Sequence, residues 1–151
     1  PPVPELAKRT GDAAHGKELF NTKATCIKCH KVRGEGKEVG PDLSEIGSKL
    51  SKEAMFVSIL DPSAGISHNY ETYSAILDSG NIVTGLKVSE TDDSVTIRSS
   101  ESIDKVISKG EIEEIIKSSV SLMPADLQKT MSEQELVDVV EYITTLKKVG
   151  A

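Results

Sequence analysis

The sequence predicts an α+β fold: a mainly helical frame from the two ends of the chain, with an antiparallel β-sheet inserted between them. Three observations predict it. Apolar residues recur at helical spacing behind cap residues at Asp12, Ser51 and Ser132. From Tyr70 the period shortens to partly alternating runs separated by turn residues. Between the first helix and a glycine-rich loop stands one cluster of reactive side chains, Cys26-Ile27-Lys28-Cys29-His30.

Residues 1–10, with prolines at positions 1, 2 and 4, read as an extended lead-in or linker, and 11–151 as a single domain. Asp12 caps a helix over about 13–23, whose apolar face holds Leu19 and Phe20, with Gly16 one turn earlier. The cysteine cluster follows, then a loop over 34–47 containing Gly40-Pro41-Asp42-Leu43. Ser51 caps a second helix over 52–60, with Leu50 and Met55 placed as a hydrophobic staple and Asp61-Pro62 as its stop. The β-rich insertion covers about 66–117. Runs at 70–77, 82–88, 95–98 and 103–107 read as hairpin strands, and 112–116 as a fifth strand or a short helix. Met123 lies in the loop that follows. Ser132 and Glu135 form a capping box for a last helix over 133–147, with Met131 and Leu136 as its staple and Val139, Val140, Tyr142, Ile143 and Leu146 as its apolar stripe.

Composition removes several function classes. A formal charge of -6 and a pI near 5.1 argue against nucleic acid, which needs a basic footprint. No apolar run is long enough to span a bilayer. Two cysteines are too few for a disulfide scaffold. The opening fits a processed terminus or the end of a linker, so the lack of a visible signal peptide says nothing about compartment. The scarcity of large rings, two Phe, three Tyr and no Trp, suits a core that receives a bulky apolar group from outside.

Cys-x-x-Cys-His is the attachment pattern of a c-type haem. Residues three apart share one face of a helical turn, so both sulfurs of Cys26 and Cys29 reach the two vinyl groups of one porphyrin, and His30 comes next beneath the iron as axial ligand. Three readings compete. Zinc wants four ligands, and neither His15 nor His68 has a zinc-site spacing. A thioredoxin-like pair belongs at a strand-to-helix junction, whereas here a helix precedes the cluster and a glycine-rich loop follows. Two free thiols beside a histidine by chance is the blandest reading. The motif in its context favours one covalent haem c.

Met123 is the expected second axial ligand of the iron. It lies in a loop, precedes Pro124 and can present its thioether without breaking a helix. Met55 and Met131 are accounted for as staple residues; His68 and an open iron are the alternatives. His15 reads as a residue on the polar side of the first helix. His/Met ligation fills both axial positions and favours outer-sphere electron transfer. A metal-bound histidine donates its other ring N–H to an acceptor, and the Pro41 carbonyl, in a rigid turn, is the expected one. Lys23, Lys28, Lys31, Arg33 and Lys37 surround the motif against one acid, Glu35, a local charge that would steer an acidic partner.

On Gly16-x-x-x-Phe20, Cys26 to His30, Gly40-Pro41-x-Leu43, Met123-Pro124 and a last helix carrying Val139 and Tyr142, the chain resembles the class I cytochromes c. The resemblance implies that the first and last helices cross near Gly16 and Phe20, with Tyr142 in the contact. The β-rich stretch resembles the haem-binding domain type expanded in Pirellula and Verrucomicrobium relatives. The matching segments are Ile59-Leu60-Asp61-Pro62-Ser63, Tyr70-Glu71-Thr72, Gly85, Ser89-Glu90-Thr91 and Ser121-Leu122-Met123-Pro124. The resemblance implies an electron-transfer protein that is not itself an enzyme. It serves a redox protein partner or a fused dehydrogenase domain in a larger periplasmic or extracytoplasmic bacterial protein. A haem-based gas sensor in which Met123 is displaced is the alternative. The insertion reads as a cover on the Met side of the haem, or as a docking face.

Overall fold

Three cap residues start the three longer helices. In the computed structural model, which describes residues 2–66 and 70–147, Asp12 accepts the His15 N–H at the start of α2 (Ala13–Asn21) and Ser51 accepts the Ala54 N–H at the start of α3 (Lys52–Leu60). Ser132 and Glu135 form a reciprocal capping box at the start of α4 (Glu133–Thr144). Each cap satisfies a backbone donor that the first helical turn leaves unpaired. Helices α2 and α4 end two to three residues short of the expected limits.

The extended lead-in expected over 1–10 is instead partly helical. A short helix, α1 (Val3–Leu6), starts after Pro2 and buries Leu6 in the core. Pro4 does not prevent it, because a proline in the first turn lacks an N–H that would have had no helical partner.

Helices α2 and α4 cross at Gly16. A β-carbon there would fall on the Asp138 carbonyl and 2.9 Å from Tyr142 Cβ, so only glycine allows this approach. One turn on, the Phe20 and Tyr142 rings meet edge to face, centroids 5.5 Å apart and planes at 71°. Phe20, Phe56, Val137, Val139, Val140 and Leu146 are fully buried in the helical core. Lys52 Nζ ties α3 to this frame through the Arg9 carbonyl and Glu141 Oε1, the latter at 2.9 Å.

The insertion forms one antiparallel sheet of five strands: β1 (Thr72–Leu77), β2 (Ile82–Glu90), β3 (Ser94–Arg98), β4 (Asp104–Ser108) and β5 (Ile112–Ser118), in the order β4-β3-β2-β1-β5. The ambiguous run at 112–116 is therefore strand, paired with β1. β2 pairs with β1 through its first half and with β3 through its second, handing over at Leu86 with a bulge between Lys87 and Ser89. Only a 3₁₀ turn, Lys109–Glu111, joins the two edge strands. A flat sheet would hold those edges about 19 Å apart at strand spacing, while four residue steps reach about 14 Å at most. The sheet therefore curls on itself. Its concave side holds a separate apolar cluster, Ala75, Leu77, Val95, Ile97 and Ile107. Thr72 and Ser118 are register partners, so the insertion begins and ends side by side.

Candidate functional site

The cysteine cluster sits on a 3₁₀ turn, Cys26–Lys28, rather than on a full helical turn. Thr25 enters it with φ 58°, a left-handed conformation that a β-branched residue adopts only at a cost. Cys29 N and His30 N both bond to the Cys26 carbonyl, which winds the two cysteines and His30 around one turn. Val39 N and Gly40 N in turn bond to the Cys29 carbonyl, at 2.9 and 2.6 Å. The segment after the motif thus folds back over it.

That return places the Pro41 carbonyl 2.7 Å from His30 Nδ1. A carbonyl only accepts, so Nδ1 carries the proton and Nε2 keeps its lone pair. No hydrogen-bond partner for Nε2 is found among the described residues. Burial pushes the His30 pKa down, with the Pro41 bond opposing it, so the ring is neutral at pH 7, the form that binds a metal. Gly40 makes the ring's position possible: a β-carbon there would lie 2.5 Å from His30 Cε1. Burial also pushes the Cys26 thiol up to about 12 and raises the Cys29 thiol. Neither is a poised thiolate, which removes support for thioredoxin-like chemistry at this pair.

All of these groups face one mainly apolar cavity of about 400 Å³. Cys26, Cys29, His30 and Pro41 line one part of it, and Phe20, Met55, Ile59 and Ile143 come from the helices. Met123 lines it as well, half-buried, with its N–H bonded to Ser121 Oγ at 3.1 Å. The sequence reading assigned Met55 to a staple, but its side chain is buried and lines the same cavity, while Leu50 is 38% exposed and also lines it. The cavity therefore holds two thioethers, one on a helix and one in a loop. Met131 is not among its lining residues. His68 lies outside the described residues. His15 is engaged elsewhere, with Asp138.

The sheet contributes Leu86, Ser100 and, just ahead of β1, Tyr70. The insertion also reaches the cysteine pair, with Ser100 O 3.8 Å from Cys29 Sγ. Sequence reasoning missed these residues, because nothing local marks a strand or turn residue as part of a cavity built by a distant motif. Of the basic residues around the motif, Lys23 is paired with Glu135 at 2.8 Å, and Lys28 lines the cavity.

The volume lies in the range of about 300–1,000 Å³ typical of cofactor sites. Two thiols three residues apart, a neutral imidazole with a free Nε2, and thioethers in an otherwise apolar cleft make a donor set that fits a covalent haem. No group of three or more His, Cys, Asp and Glu able to hold a bare metal ion occurs among the described residues. No described helix is long and apolar enough to cross a membrane. Against known families, residues 13–96 match the model of the cytochrome c family. The span takes in the cysteine pair and His30 and ends within β3, short of Met123. No curated protein matches the chain.

Proposed function

The chain belongs to the cytochrome c family, and from that premise we propose that it carries one haem, bound through thioethers to Cys26 and Cys29 and ligated axially by His30 and Met123. The family makes it a c-type haem electron-transfer protein; the ligands and the setting are the proposal. One observation carries it: a single apolar cavity collects both thiols, a histidine whose only free ring nitrogen is Nε2, and a loop methionine. Haem held there supplies a one-electron iron couple.

The chain's own residues do the rest. The Pro41 carbonyl fixes the His30 tautomer and ring plane. Met123 would hold the iron together with His30 and leave it no open place for substrate, the arrangement suited to passing electrons. Met123 is preferred to Met55 because its loop can adjust to a bond, whereas Met55 is packed into α3 and the helical core. The apolar walls exclude water and with it the dielectric that would stabilise the charged iron. Lys28, Lys31, Arg33 and Lys37 at the motif offer an acidic redox partner a point of approach.

The β insertion supports the narrower assignment to the haem-binding domain type of Pirellula and Verrucomicrobium relatives. In that setting the domain accepts electrons from a dehydrogenase within a larger extracytoplasmic protein. The visible spectrum tests the ligation. The oxidised protein should show the weak far-red band of a Met–Fe(III) bond. Met123→Ala should abolish it, and Met55→Ala should keep it. An unchanged spectrum in Met123→Ala overturns the assignment.

A further inference from the structure

The curled sheet is joined to the motif at one charged point. Arg98, the last residue of β3, bonds Asp104, the first of β4, through two parallel contacts: Nε to Oδ1 at 2.7 Å and Nη2 to Oδ2 at 3.1 Å. This fork closes the base of the turn over 99–103 and pre-organises the guanidinium. The remaining arm, Nη1, donates to the Glu38 carbonyl at 2.8 Å, sixty residues away in sequence. Glu38 directly precedes Val39 and Gly40, whose N–H groups hold the Cys29 carbonyl, and Pro41, whose carbonyl meets His30. The turn that Arg98 anchors carries Ser100, whose carbonyl lies 3.8 Å from Cys29 Sγ.

We propose that Arg98 is a positioning residue that latches the β3–β4 turn onto the 38–41 segment, so that the turn covers the Cys29 edge of the cavity and the segment is held against His30. The latch rests on the reading of the cavity as the haem site. It gives the insertion a task that neither the helical frame nor the motif supplies: closing one edge of the cavity to solvent and small reductants. A lysine cannot replace it, because one ammonium does not make the fork to Asp104 and the bond to Glu38 in the same geometry.

Two measurements on the purified full chain test this. The first is amide hydrogen exchange. Arg98→Ala should speed exchange at Val39 and Gly40 by about tenfold or more, the loss of one charge-assisted hydrogen bond, and Arg98→Lys by less, with α2 and α4 unchanged. The second is the rate at which ascorbate reduces the oxidised holoprotein, which should rise in Arg98→Ala. Removing a positive charge alone would slow an anionic reductant, so the sign separates uncovering from charge. Unchanged exchange at Val39 and Gly40 in a folded variant, or a reduction rate that stays level or falls, overturns the proposal. If Arg98→Ala does not fold, Arg98→Lys decides by the same criteria. A chain without haem would overturn the preceding section's reading, while the exchange measurement, which needs no cofactor, would still decide whether Arg98 holds the segment.

Discussion

Asp138 and His15 join the last helix to the start of α2: His15 Nδ1 lies 2.8 Å from Asp138 Oδ2. The other carboxylate oxygen accepts from the Asp12 N–H and from Gln134 Nε2, both at 2.8 Å. Asp138 is only 4% exposed. A carboxylate buried this far persists because its acceptor sites are filled. Asp138→Ala should therefore destabilise the protein by about 2–3 kcal/mol, the loss of hydrogen bonds to a charged group. Urea denaturation measures it. A change under about 0.5 kcal/mol would mean that the cluster is replaceable by water.

The same pair gives stability a pH dependence. The Asp138 hydrogen bond raises the His15 pKa above 6.5, with desolvation opposing and the Asp138, Glu18 and Asp12 charges assisting. Its contribution is full below 6.5 and is lost as the pH rises through the raised value. Burial pushes the Asp138 pKa up, but the Asp12 N–H, His15 and Gln134 outweigh it and hold the group below 3.8. That contribution is present above 3.8 and is lost as the pH falls through the lowered value. The stability gap between wild type and His15→Gln should thus be wider at pH 5 than at pH 9, and equal gaps would refute the coupling.

Gly16→Ala opposes two effects. Alanine is the better helix former by about 1 kcal/mol. The added carbon would fall on the Asp138 carbonyl, however, and the helices must separate to admit it. Overpacking of this kind costs about 1–3 kcal/mol, so the variant should be less stable despite its propensity. Thermal unfolding decides the sign.

Gly40→Ala should act on His30. The new carbon would sit 2.5 Å from Cε1 and 2.9 Å from Nδ1, forcing the ring away from the Pro41 carbonyl. The holoprotein should lose part of its low-spin spectrum. Gly110→Ala meets nothing closer than 3.7 Å and serves as the control. A low-spin spectrum unchanged in Gly40→Ala would show that the ring holds its place by other means.

Signals that act within a turn or two were legible in the sequence. Asp12, Ser51 and Ser132 cap where their spacing says, and the change of period after Tyr70 marks the sheet. Cys26, Cys29, His30 and Pro41 read as one unit because they are close along the chain. What was hidden depends on distant segments. Arg98 and Glu38 are sixty residues apart, and only the curl of the sheet brings them together. Asp138 carries no local mark in the sequence and is buried only because α2 packs over it. Met55 reads as a staple because its second surface faces a cavity that many separated segments complete. Pro4 misled because proline reads as extended backbone, although the first turn of a helix accommodates it.

The pairing of Thr72 with Ser118 bears on the order of folding. Closing α2 onto α4 joins residues as far apart as His15 and Asp138, 123 positions along the chain. Once β5 has paired with β1, the entry and exit of the sheet lie side by side, and the Ser63 hydroxyl accepts the Ser121 N–H at 3.0 Å. The intervening strands then drop out of the loop to be closed. The thermodynamic gain is small, under about 1 kcal/mol, because closure entropy grows only with the logarithm of length. In topological terms the helical frame closes as if the chain ran directly from the end of α3 into the Met123 loop, so an insertion of five strands lengthens the sequence with little lengthening of its folding path.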